Sequence, residues 1–199
     1  ILFIIEGFII LIFVASTKRN LIFSFKDHIY FFVLGVFLYS GNYIFFYNSN
    51  VYLPSNIPAT VFCLLTIFNI LGEKFIFKKT ITSLTLLGAI FGITGIAIIF
   101  YKDLLSFNLN SETTLGLMFA LLATLSASIG NLIAIYNKRN FNLPLLQNVA
   151  FAMIYGAIVA LFIAIIKGSE FYIPVTNLSY MVGLTYLIIF GAIISFLCY

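Results

Sequence analysis

The chain has 199 residues, of which 63% are hydrophobic and only 8% charged, with a formal net charge of +4. A soluble domain carries roughly 25% charged residues, so this composition excludes a water-exposed globular surface and implies an integral membrane protein. The excess of positive charge is not a nucleic-acid signal, because it is confined to short loops between long apolar runs.

A chain in lipid must satisfy its own backbone hydrogen bonds, as helices or as a closed barrel. Barrel strands alternate apolar and polar residues, whereas the runs here are long and unbroken, which predicts an all-α integral membrane bundle of about seven spans. In chain order the runs are 1–15, 29–47, 59–71, 81–101, 115–136, 145–166 and 178–197. The chain begins at Ile1, inside an apolar run and without Met, and ends at Tyr199 in another, so an internal piece of a longer protein is expected. Cys63 and Cys198 both lie in apolar runs with no metal-ligand spacing and read as small core residues.

The stretch from Pro54 to Phe100 predicts a hairpin of two spans with a tight basic turn at Lys74, Lys78 and Lys79. Each run approaches the ~20 apolar residues needed to cross ~30 Å of hydrocarbon. Pro58 suits a first helical turn. Gly88, Gly92 and Gly95 remove side chains at helical spacing, which predicts close approach of a neighbouring helix.

Alternate loops differ in charge. One set holds Lys18, Arg19, Lys26, Lys74, Lys78, Lys79, Lys138 and Arg139; the other holds only Lys102 and Lys167. The positive-inside rule assigns the first set to the cytoplasm. An internal repeat is also visible: the segment around Glu6-Gly7 parallels that around Tyr155-Gly156 at an offset of 149 residues, and Gly41 and Tyr47 are echoed by Gly191 and Tyr199. Lys18 and Lys167 fall in opposite loop sets, so the copies have opposite topology, as in the inverted repeats of secondary transporters.

On these residues the chain resembles the EamA-like branch of the drug/metabolite transporter superfamily. The marks are Pro58 before an apolar helix, Leu71-Gly72-Glu73 at its cytoplasmic end, the glycine-rich helix with Gly88, Gly92 and Gly95, and Gly116 opening a helix that ends at Lys138-Arg139. The resemblance implies two inverted five-helix repeats, with 1–107 as the first repeat lacking its first helix and 108–199 as the second lacking its last two. It further implies a multi-pass protein of the inner (plasma) membrane that moves a small organic molecule by alternating access.

Glu6 is the only ionisable residue within an expected span. It lies about 11 residues from the end of its run, or ~16 Å, near the bilayer midplane. A carboxylate there costs on the order of 2.5–3.5 kcal/mol, so it should face a cavity or a partner rather than lipid. It is the candidate for binding substrate or exchanging protons; its repeat mate Tyr155, together with Asn42 and Tyr43, completes the expected substrate and coupling set. Glu73 reads as a structural helix-end group and His28 as a solvated interface residue. No H-E-x-x-H, G-x-S-x-G or phosphate-loop sequence is present, so no catalytic residues, metal or cofactor are expected and the chain is not read as an enzyme. The expected partners are a small-molecule substrate, protons and the lipid bilayer, not nucleic acid, with a homodimer one assembly open to it. Two other functions fit the composition: a membrane-embedded structural or assembly subunit, and a membrane enzyme such as a lipid transferase.

Overall fold

The computed structural model describes residues 2–99, 101, 111–168 and 177–188. Each of the seven apolar runs contains a helix among the described residues: α1 Leu2–Ser16, α2 Phe25–Tyr52, α3 Asn56–Phe77, α4 Ser83–Ile99, α5 Ser111–Phe141, α6 Leu145–Ile166 and α7 Leu178–Tyr186. Four of them, α2, α3, α5 and α6, are long and apolar enough to cross a membrane, at 28, 22, 31 and 22 residues. The 15-residue α1 is a shorter apolar helix. Gly191, Tyr199, Cys198 and the loop residues Lys102 and Asn110 lie outside the described residues.

Local chemistry sets the boundaries. Ser24 and Asp27 form a reciprocal capping box at the start of α2, the Asp27 N–H donating to Ser24 Oγ at 3.3 Å and the Ser24 N–H to Asp27 Oδ2 at 2.9 Å. This arrangement satisfies two N–H groups that the first helical turn leaves without partners. Pro58 falls in the first turn of α3 and is fully buried. The long α5 carries Glu112 in its first turn and Lys138 and Arg139 in its last, which complements the helix dipole at both ends. Three of the loop-side residues, Lys18, Lys78 and Asn142, adopt left-handed backbone conformations with φ of 53–54°. Backbone bonds close two of these ends, Lys79 N–H to Glu73 O at 3.3 Å and Leu143 N–H to Asn137 O at 3.4 Å.

Two features are not written in the apolar pattern. Residues Val36–Gly41 in the middle of α2 wind as a π-helix. Such segments are rare and recur at functional sites. The second feature is where the helices come close.

The chain forms two compact units, residues 1–40 with 134–199, and residues 41–133. In the first, α6 is the central element and packs against both α1 and the first half of α2. Ile10 and Val14 of α1 and Val149, Ala150 and Met153 of α6 make its buried core. Gly7 lies beside Ala150 and Ile154, while the Gln147 side chain reaches Asn20 O just beyond α1. The two helices therefore run antiparallel. On the other side of α6, Gly35 faces Ala152 and Gly156 backbone to backbone. In the second unit, Ser49 Oγ donates to Gly116 O at 2.8 Å, tying the end of α2 to the start of α5, and Gly72 of α3 seats against Leu132 of α5.

Gly88, Gly92 and Gly95 have no described residue within 4 Å of a Cβ placed on them. The close helix approaches among the described residues fall instead at Gly7, Gly35, Gly72, Gly116 and Gly156. Cys63 is half-buried, its Sγ 3.4 Å from Ala59 O.

Candidate functional site

In the first unit, Glu6 as a whole residue is buried, at 6% exposure, on a helix whose other residues up to Ala15 carry no polar side chain. No described residue forms a hydrogen bond or ion pair with it. Its neighbour Gly7 permits contact with α6, because any side chain there would meet Ile154 Cγ1 at 2.7 Å and Ala150 O at 2.9 Å. Glu6 thus sits on the packed flank of α1, while Phe8 and Ile12 point outward.

Tyr155 lies on α6 and holds His28, with its hydroxyl 2.8 Å from His28 Nδ1. His28 is half-buried and stands edge-on to Phe151 at 5.1 Å and Phe31 at 5.6 Å; Phe31 and Phe151 stack at 5.2 Å. The reading of His28 as a solvated interface residue is therefore corrected. Half-buried, it packs edge-on against aromatic rings and uses one ring nitrogen on Tyr155. These residues are 127 apart in sequence, so no local spacing announces the pair.

A second polar group lies at the N-terminal end of α6. Asn137, Gln147 and Asn148 are each at most 2% exposed. Asn137 Nδ2 donates to Asn148 Oδ1 at 3.2 Å and Gln147 Nε2 to Asn20 O at 3.3 Å. Asn137 Oδ1, Gln147 Oε1 and Asn148 Nδ2 remain without a partner among the described residues. The bonds from Gln147 to Asn20 and from Asn148 to Asn137 bring the Lys18-Arg19 loop and the Lys138-Arg139 end of α5 to the same end of this unit.

Asn42 and Tyr43 belong to the second unit and directly follow the π-helical stretch. Asn42 is buried, at 7% exposure; Tyr43 is 38% exposed and its ring lies 6.4 Å from that of Tyr47.

The second unit also contains a pocket of about 250 Å³ at the turn between α3 and α4. Its polar lining is Thr66, Asn69, Glu73, Lys79, Thr80 and Thr85. Glu73 and Lys79 form an ion pair across the turn, the Lys79 side chain 57% exposed and that of Glu73 22%. An ion pair this open to water contributes only about 0–1 kcal/mol. Asn69 Oδ1 is buried without a described partner. The expectation for Glu73 was a helix-end group, and it does close the turn, but it also shares this pocket.

Gly72 precedes Glu73 and places that turn. A Cβ at Gly72 would collide with Leu132 Cδ1 and stand 3.0 Å from Leu132 Cδ2. We expect Gly72→Ala to cost roughly 1–3 kcal/mol, the range for overpacking. In a Leu132→Ala background the same change should cost little, because the colliding atoms are gone. Thermal unfolding of the single and double variants measures this coupling.

Comparison with models of known protein families, with curated proteins and with solved structures finds no match.

Proposed function

We propose that this chain is part of a secondary transporter that carries a small organic molecule across the inner (plasma) membrane by alternating access, in the manner of the EamA-like proteins it resembles. The observation that carries this reading is Glu6, an acidic residue buried on the packed flank of an otherwise apolar stretch of helix. Such groups in membrane helices mark substrate or ion paths.

Four features support the reading. The four long helices suit the hydrocarbon thickness. The basic residues of two loops gather at one end of the first unit, in keeping with a cytoplasmic face. The repeat mates Gly7 and Gly156 both serve as points of close helix approach, and α1 and α6 run in opposite directions. An inverted repeat accounts for both facts. Finally, Asn42 lies buried beside a π-helical segment, where a helix can change its winding. In this proposal Glu6 exchanges protons with the transport cycle, Tyr155 and His28 order the neighbouring face of α6, and Asn42 and Tyr43 contact substrate.

The core between α1 and α6 is built from the apolar side chains of Ile10, Val14, Val149, Ala150 and Met153. That observation favours a second reading, a membrane-embedded structural subunit without a substrate. Thermal stabilisation of the full-length protein across a metabolite panel separates the two, since a ligand that binds only the folded state raises Tm. The transporter reading expects at least one compound class to raise Tm and to enter proteoliposomes. Uniformly flat thermograms, with no uptake, favour the structural subunit.

A further inference from the structure

We propose that the pocket at the α3–α4 turn binds the headgroup of a membrane phospholipid bearing a primary ammonium and a phosphate, that is, a phosphoethanolamine headgroup. The proposal rests on the membrane reading of this hairpin, and its readout is binding, so it stands or falls separately from transport.

The pocket offers one charge of each sign. Glu73 and Lys79 pair with each other across the turn, and Lys79 is largely exposed. Because so open a pair contributes little, a ligand carrying both charges can separate it and replace each half. The ammonium goes to Glu73 and to Asn69 Oδ1, a buried acceptor with no described partner. The phosphate goes to Lys79, to the hydroxyls of Thr80 and Thr85, and to the N-terminal end of the 17-residue α4, whose dipole favours negative charge.

Two observations narrow the ligand. An orphaned carbonyl acceptor needs an N–H donor, which a primary ammonium has and a trimethylammonium lacks. None of the residues lining the pocket is aromatic, so it has no cage for a quaternary ammonium. The source is argued from the surroundings. Phe75 and Ile76 in the last turn of α3, and Leu84 and Leu87 in the first turns of α4, are all at least half exposed. They give acyl chains an apolar surface beside the headgroup.

The test uses the full-length protein in detergent, titrated with short-chain phosphatidylethanolamine, phosphatidylcholine, phosphatidylglycerol and water-soluble phosphoethanolamine, with Tm as the readout. Phosphatidylethanolamine should bind about tenfold more tightly than phosphatidylcholine, the scale of a lost hydrogen bond to a charged group. That preference should vanish in Glu73→Gln and shrink in Asn69→Ala, which keeps the ion pair intact should the first variant fold poorly. Equal binding of the three lipids, or an undiminished preference in both variants, overturns the proposal. Soluble phosphoethanolamine binding as tightly as the lipid overturns the assignment to a membrane source.

Discussion

Adding a single methyl group at Gly35 or Gly156 should destabilise the protein more than any other small substitution in the described residues. A Cβ on Gly156 would stand 2.5 Å from Gly35 O and 2.7 Å from Tyr39 Cβ; a Cβ on Gly35 would collide with Ala152 O and stand 2.8 Å from Gly156 N. Most of these obstacles are backbone atoms, which cannot rotate away, so α2 and α6 must separate. Overpacking ordinarily costs 1–3 kcal/mol, and we expect Gly35→Ala and Gly156→Ala each to reach roughly 3 kcal/mol, a large fraction of the ~5–15 kcal/mol that holds a typical fold together. The control is internal. Gly88→Ala and Gly92→Ala meet no described atom within 4 Å, and each exchanges Gly for a better helix former worth about 0.5–1 kcal/mol. Thermal unfolding in detergent should give a large fall in Tm for the first pair and no fall, or a small rise, for the second.

Glu6→Gln should abolish uptake driven by a pH gradient while leaving membrane insertion and substrate exchange near wild type. Glutamine keeps the shape and hydrogen-bonding capacity of a carboxylic acid but has no proton to release. The buried position of Glu6, at 6% exposure, makes folding tolerant of a neutral substitute, since a buried ionisable group is itself unfavourable. Proteoliposomes with and without a gradient separate coupling from binding. Wild-type gradient-driven uptake in the glutamine variant would remove Glu6 from the coupling step.

The helices were legible because lipid-compatible runs are long and their ends carry polar signals, such as Ser24 and Asp27 at the start of α2. Their contacts were not. In α6 apolar residues surround the whole helix, and nothing in the order of Val149, Ala150, Met153 and Ile158 separates the three that are buried from the one that is exposed. The spacing of Gly88, Gly92 and Gly95 advertised an interface, whereas isolated glycines, Gly7, Gly35 and Gly156, make the contacts of the first unit. The burial of Glu6 was legible from the cost of a carboxylate in an apolar run. The pairing of His28 with Tyr155 was not, because it depends on α2 and α6 meeting across 127 residues. The turn pocket was half visible: Asn69 and Glu73 lie one helical turn apart, but the return of Lys79 onto Glu73 depends on the left-handed conformation of Lys78.

The membrane topology on which the transport proposal depends can be tested by labelling single cysteines introduced at Lys78 and Asn110 in the full-length protein with an impermeant reagent applied from each side. Lys78 lies in the basic α3–α4 turn and Asn110 in the sparsely charged segment before α5. The account predicts labelling of position 78 from the cytoplasmic side only and of position 110 from the opposite side only. Labelling of both from one side would contradict it.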